Sequence, residues 1–335
     1  MGSATKRDSI VTILLTGAAG FIGHHVAMAL LARGEEVVGV DNLNPYYDPR
    51  LKQARLARVG EGRGFTFHPV DIADRNAMAE VMSRHRGIDR IVHLAAQAGV
   101  RYSMTEPFSY VSSNLMGHLV VLETARNLPN LRHLVYASSS SVYGANRELP
   151  FSEGDRVDTP LSLYAATKRA DELMSHAYGH LYGIPQTGLR FFTVYGPWGR
   201  PDMAYYSFAE AIMAGNPITV YEEGRLRRDF TYIDDIVAGV VGCLDHPPAG
   251  APPVRLLNIG NNDSEPVSAL IGLLEQSLGR KAVLRDTPRP RADVEETCAS
   301  VEAIGALTGF APRTALSVGI PRFAEWFLAW RRNVT

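Results

Sequence analysis

The chain has 335 residues, 46% apolar and 21% charged, a length that fits one large or two modest domains and a composition that excludes collagen-like, disordered and coiled-coil classes. Thirty-four Lys and Arg against thirty-five Asp and Glu leave a net charge of -1. No nucleic-acid or anionic-membrane partner is expected from that balance, and an anionic ligand would have to be held by a few placed cations.

Met1 to Ser9 carries no apolar signal core, and no run of about 18 apolar residues follows, so a soluble cytoplasmic protein is expected. The first half then alternates β-branched runs with helical patterns. Strands are predicted at Ile10 to Thr16, Glu36 to Val40, Phe65 to Val70, Ile91 to Leu94, His133 to Ser138 and Gln186 to Phe191. Helices are predicted at Phe21 to Arg33, Ala77 to His85, Phe108 to Asn127 and Tyr164 to Tyr182, with Gly34 and Gly183 where C-terminal caps belong. Such βα units in series imply an α/β fold, a Rossmann-type doubly wound parallel sheet. After Phe192 the texture changes to Gly/Pro-rich loops and short helices. This predicts one domain over 1–192 and a smaller second lobe over 193–335, some of whose segments return to the sheet.

The first strand runs into Gly17-Ala18-Ala19-Gly20-Phe21-Ile22-Gly23. Glycines at a strand-to-helix turn let a pyrophosphate approach backbone N–H groups at a helix N-terminus. Asp41 ends the second strand, 24 residues after Gly17, near the offset of about 20 expected for a carboxylate on the adenosine ribose. It would repel a 2′-phosphate, and no Arg or Lys follows before Arg50, so NAD is expected rather than NADP. Asp71 and Ile72, at the end of the third strand, would flank the adenine, unless Asp71 instead caps the next helix. Ala95 and Ala96, after the fourth, are small enough to let the cofactor pass.

Tyr164-Ala165-Ala166-Thr167-Lys168 places a phenol and an ammonium on one helix face. A phenol is a base near pH 7 only when fixed positive charge favours the phenolate. Upstream, Ser138 to Ser141 close the fifth strand. Period-two alternation would put Ser139 and Ser141 on one face, where either or both could bond the reacting hydroxyl. No Gly-x-Ser-x-Gly elbow surrounds them, which argues against a serine nucleophile. Cys243 and Cys298 lie in no CxxC or metal-type spacing, and His176 and His180 lack a nearby third ligand, so neither a disulfide framework nor a metal is expected.

Taken with Arg190-Phe-Phe-Thr193-Val-Tyr-Gly-Pro-Trp-Gly-Arg200-Pro-Asp-Met-Ala204, these motifs resemble the extended short-chain dehydrogenase/reductases that act on nucleotide sugars, and more narrowly the UDP-glucuronate 4-epimerases. The resemblance runs from about Ile10 to beyond Phe327 and includes Asp41 to Asp48, Gln97 to Ser103 and Arg228 to Asp235. It implies a cofactor pocket formed by Gly17, Ala19, Gly20, Phe21, Ile22, Gly23, Asp41, Asn42, Asn44, Asp71, Ile72, Leu94, Ala95, Ala96, Tyr164, Lys168 and Phe191. It also implies a homodimer and a UDP-sugar site with Val100, Arg101, Thr193, Arg200 and Arg228, the last on the diphosphate. Arg289 or Arg291 would be a second phosphate contact.

Dehydratases and decarboxylases of this group carry acidic residues after the first catalytic hydroxyl, whereas this chain has Ser140 and Ser141. The resemblance therefore implies C4 epimerisation of UDP-glucuronic acid to UDP-galacturonic acid through a transient 4-keto sugar, without decarboxylation. A guanidinium fork matches a carboxylate bidentately, and the resemblance assigns Arg200 and Thr193 to the uronate. The competing readings are a UDP-glucose/galactose 4-epimerase, a UDP-glucuronate decarboxylase and, in another class, a non-catalytic NAD-binding regulator.

Overall fold

In a computed structural model, which describes residues 11–60, 64–290 and 293–334, seven parallel strands form the central sheet. They are β1 (Thr12–Thr16), β2 (Glu36–Asp41), β3 (Phe65–Pro69), β4 (Ile88–His93), β5 (His133–Ser139), β6 (Gln186–Phe191) and, from the second half of the chain, Val254–Ile259. Between β6 and that last strand come β7 (Thr193–Tyr195), β8 (Pro217–Tyr221) and β9 (Arg227–Tyr232), so Val254–Ile259 is β10; β11 (Ser264–Pro266) and β12 (Val283–Thr287) follow. The order β10-β6-β5-β4-β1-β2-β3 reverses direction at β1 and β4, the crevice where doubly wound sheets bind their ligands. β1, β5 and β6 are almost wholly buried, as strands covered by helices on both faces must be.

The second lobe is built on two small sheets, β11-β9-β7 and β12-β8. β7 begins two residues after β6 ends, so one stretch of chain passes from the central sheet into the second lobe. The helix Ile233–Leu244 returns to pack on Phe21–Ala32 and, with β10, ties the lobes together.

Several boundaries differ from the sequence reading for physical reasons. Val11, in the predicted first strand, falls short of β1, and Ile10 lies outside the described residues. The helix Pro49–Gly60 was not predicted, because its sequence PRLKQARLARVG has too few apolar positions to show a period. The predicted helix over Phe108 to Asn127 is broken by a π-helical segment, Val111–Met116, between Pro107–Tyr110 and Gly117–Arg126. Inside that segment Asn114 is buried, accepts from the Gln97 N–H at 2.8 Å and donates to Thr167 Oγ1 at 2.9 Å. The extra residue in the turn aims this amide at the helix that carries Tyr164.

Candidate active site

A single cleft of about 910 Å³ runs from the glycine turn across the C-terminal ends of the strands into the second lobe. At one end Gly17, Gly20 and Gly23 close the turn. A Cβ on Gly17 would stand 2.7 Å from Ala95 N and one on Gly20 2.9 Å from the Gly17 carbonyl, while one on Gly23 would strike that same carbonyl. Gly17 also has φ +73°, so the turn admits no other residue without strain. Asp41 ends β2 buried, its carboxylate accepting from Ala19 N at 3.2 Å and Leu43 N at 2.8 Å. Cradle and buried carboxylate together fit the diphosphate and ribose of NAD.

Of the predicted cofactor residues, all but Ala19 line the cleft. Ala19 is fully buried, and its backbone serves Asp41 and the Arg55 guanidinium instead. Asp71 takes Asn42 Nδ2 at 2.9 Å and Ala73 N at 2.9 Å, while the cap of the next helix is Asp74. Arg50, the first cation after Asp41, turns outward to Asp48. Lys52 instead reaches the cleft, 3.8 Å from the Asp41 carboxylate and 2.9 Å from Asn44 Oδ1.

In the middle of the cleft, Tyr164 and Lys168 face it from the helix Leu163–Tyr182, whose N-terminus is capped by Ser162. Lys168 is buried and spends two of its three N–H donors on Ala137 O at 2.9 Å and Asp171 Oδ2 at 3.1 Å. Burial pushes the Asp171 carboxyl up to about 6 against the opposing pull of Lys168. Beneath them, burial holds His93 and His118 neutral, with Lys168 adding to the effect. Lys168 is thus the fixed cation at this point of the cleft.

The serines meet by a different route from the one predicted. β5 ends at Ser139, and Ser140–Tyr143 is a 3-10 turn rather than extended chain. Ser139 caps that turn, its Oγ accepting from Ser141 N at 3.2 Å and donating to Ser141 Oγ at 3.2 Å. Both hydroxyls line the cleft because the turn folds them together. Ser138 also lines the cleft, but its hydroxyl is spent on Glu172 at 2.6 Å, beside the buried bidentate pair of Glu172 with Arg190 at 2.8 and 3.0 Å.

Val100, Arg101, Thr193, Arg200 and Arg228 also line the cleft. Arg200 is not a free fork: Asp202 takes its Nε at 3.0 Å and Nη2 at 2.5 Å. Arg228 is held by Asp293 at 2.5 Å. Arg289 pairs with Glu222 and Glu295 and does not line the cleft, and Arg291 lies outside the described residues. His176 and His180 are exposed, and no metal-binding group of His, Cys, Asp and Glu occurs among the described residues.

Sequence reasoning missed Tyr46, Lys52, Arg55, Asp171, Asp202 and Asp293. Asp171 had a local signal, three residues after Lys168 on the same helix. Asp202, two residues after Arg200, and Lys52, eight after Asn44, are also near in sequence, whereas Tyr46, Arg55 and Asp293 act across the fold. Arg55, fully buried, donates to Ala19 O, Trp198 O, Gly199 O and Tyr47 Oη, which joins the cofactor turn to the segment before Arg200.

Residues 13–260 match the NAD dependent epimerase/dehydratase family, and the chain belongs to it. A probable UDP-glucuronate 4-epimerase of Rhizobium meliloti is 45% identical over 94% of this chain and 96% of its own length. A UDP-glucuronate 4-epimerase of Arabidopsis thaliana is 46% identical over 96% of this chain and 76% of its own. Among solved structures, the UDP-glucuronic acid 4-epimerase from Bacillus cereus in complex with UDP-glucuronic acid and NAD superposes with a TM-score of 0.88 at 32% identity, covering 96% of this chain and all of the other.

Proposed function

We propose that this chain is an NAD-dependent UDP-glucuronate 4-epimerase, converting UDP-glucuronic acid to UDP-galacturonic acid through a bound 4-keto sugar. The observation that carries the reading is the content of the single cleft. A dinucleotide cradle, a Tyr/Lys pair with two hydroxyls, and two anchored guanidinium groups all line it. NAD, when bound, supplies the oxidising and reducing equivalents exchanged at C4.

Gly17 to Gly23 and Asp41 hold the cofactor diphosphate and adenosine ribose. Lys168 retains one N–H donor for the nicotinamide ribose and stands one helical turn from Tyr164. Tyr164 takes the O4 proton and later returns it; Ser139 or Ser141 orients O4 for that transfer. Arg228 faces the UDP diphosphate, and Arg200 with Thr193 faces the uronate. Because a 4-keto uronate is a β-keto acid, these last two residues also oppose loss of CO2 by holding the carboxylate as a localised anion.

Among the described residues, four carboxylates line the cleft, Asp41, Asp71, Asp202 and Asp293, and each is engaged by backbone N–H groups, an amide or an arginine. None is free to act as a second acid or base for elimination, which favours epimerisation over dehydration. We further infer a cytoplasmic homodimer. Phe108, Val111, Leu173 and Leu181 are exposed on the Pro107–Tyr110, Val111–Met116 and Leu163–Tyr182 segments, which pack side by side. Cys243 and Cys298 are free thiols, and no described helix is long and apolar enough to cross a membrane.

Product analysis after incubation with UDP-glucuronate tests the reading. UDP-galacturonate is expected; a UDP-pentose with CO2 would make the protein a decarboxylase, and conversion of UDP-glucose alone would make it a neutral-sugar epimerase.

A further inference from the structure

Arg200 is presented by a segment fixed along its backbone. Gly196 and Trp198 have positive φ, +144° and +63°. Arg55 holds the carbonyls of Trp198 at 3.0 and 2.7 Å and of Gly199 at 3.0 Å, and His25 reaches Pro197 O at 3.1 Å. The side chain is fixed separately. Asp202 occupies the Nε and Nη2 edge of the guanidinium, and Tyr46, from the segment after β2, donates its hydroxyl to Asp202 Oδ2 at 3.2 Å.

Charge keeps this arrangement in one protonation state. Burial alone would raise the Asp202 carboxyl, but the Arg200 guanidinium outweighs it and holds Asp202 below the usual carboxylate range. Burial first, then the Asp202 charge, pushes the Tyr46 phenol up, so it remains a donor. A guanidinium has five N–H donors in a fixed plane. With the Nε edge taken, only the end-on pair of Nη1 and Nη2 is left for a second carboxylate.

We propose that Asp202, buttressed by Tyr46, is the positioning residue that turns the end-on edge of Arg200 toward the substrate uronate, and so sets both selectivity for the acid sugar and retention of its carboxylate. This rests on the assignment of Arg200 to the uronate. The contrary possibility is that Asp202 competes with the substrate for Arg200; the two predict opposite signs.

The test measures KM and kcat for UDP-glucuronate, the Kd of UDP-glucose, and the fraction of turnovers releasing labelled CO2 from carboxyl-labelled substrate, in full-length Asp202→Asn, Tyr46→Phe and Arg200→Ala proteins. Loss of orientation at one charge-assisted contact should raise KM about tenfold for Asp202→Asn. The CO2 fraction should rise with it, while kcat falls less than about threefold and the Kd of UDP-glucose, which lacks the carboxylate, stays unchanged. Tyr46→Phe should move the same quantities in the same direction by less, and it carries the test if Asp202→Asn does not fold. A lower KM in Asp202→Asn, or a KM and CO2 fraction equal to the parent's, overturns the proposal. If Arg200→Ala changes both and Asp202→Asn neither, positioning alone is wrong; if Arg200→Ala changes neither, the uronate assignment has failed first.

Discussion

Asp229, one residue after Arg228, is fully buried and gathers four donors onto one carboxylate. Oδ1 accepts from Asn261 N at 2.6 Å and Thr231 Oγ1 at 2.9 Å; Oδ2 accepts from Asn262 N at 3.0 Å and Ala299 N at 3.0 Å. Burial pushes the carboxyl up to about 6, with the hydrogen bonds opposing it. In Asp229→Asn one oxygen becomes an NH2. Its best placement is over the Oδ1 position, where Thr231 can reverse its hydroxyl, but the Asn261 N–H is then orphaned against another donor. An orphaned buried donor costs about 1–3 kcal/mol, and the two bonds left on the other oxygen lose their charge assistance, so about 2–4 kcal/mol is expected. Urea unfolding of the substituted and parent proteins at pH 8, where the parent carboxylate is ionised, measures the difference. The same substitution frees the segments at 261–262 and 299 that brace β9, so UDP binding should weaken with it. A loss of stability below about 1 kcal/mol would refute the argument that these four bonds act as a unit.

Gly23→Ala should remove bound NAD, because its Cβ would strike the Gly17 carbonyl and force open the turn; the absorbance of cofactor retained after gel filtration checks it. Acid should unfold the protein from about pH 6.5 downward. Burial lowers His24 to about 2, His118 to about 3 and His25 and His133 to about 4, and lowers His93 well below its usual value. Folding favours their neutral forms, so stability is whole above 6.5 and falls by about 1.36 kcal/mol per pH unit for each proton taken up on unfolding. Asp171 and Asp229, raised to about 6, run the other way, their contribution complete at low pH and lost as pH rises through 6. Net proton uptake on unfolding at pH 5.5, measured by calorimetry in two buffers, should therefore be positive. Phe108→Asp with Leu181→Asp should halve the mass seen by analytical ultracentrifugation if these exposed residues form the dimer face.

The parts of the site legible in the sequence are those whose chemistry is local. A glycine turn needs its three positions within seven residues, an acid at a strand end shows itself by the strand, and Tyr164 and Lys168 are one helical turn apart. What stayed hidden depends on residues that only folding brings together. Asp202 stands two residues after Arg200, but its further partner Tyr46 is 156 positions away. Arg55 stood in a polar helix without visible periodicity, and its four partners come from three separate segments. The serines were paired for the wrong geometric reason: alternation along a strand was expected, but Ser139 accepts from the Ser141 amide and so starts a turn. Local hydrogen bonding of a serine to its own backbone competes with strand extension, and here it prevails.

The most direct test follows UDP-glucuronate carrying deuterium at C4 by NMR, with purified protein and no NAD added. If one retained cofactor both receives and returns the C4 hydrogen, UDP-galacturonate should accumulate with deuterium still at C4 and no UDP-pentose. Loss of the label to water, or a requirement for stoichiometric added NAD, would contradict it.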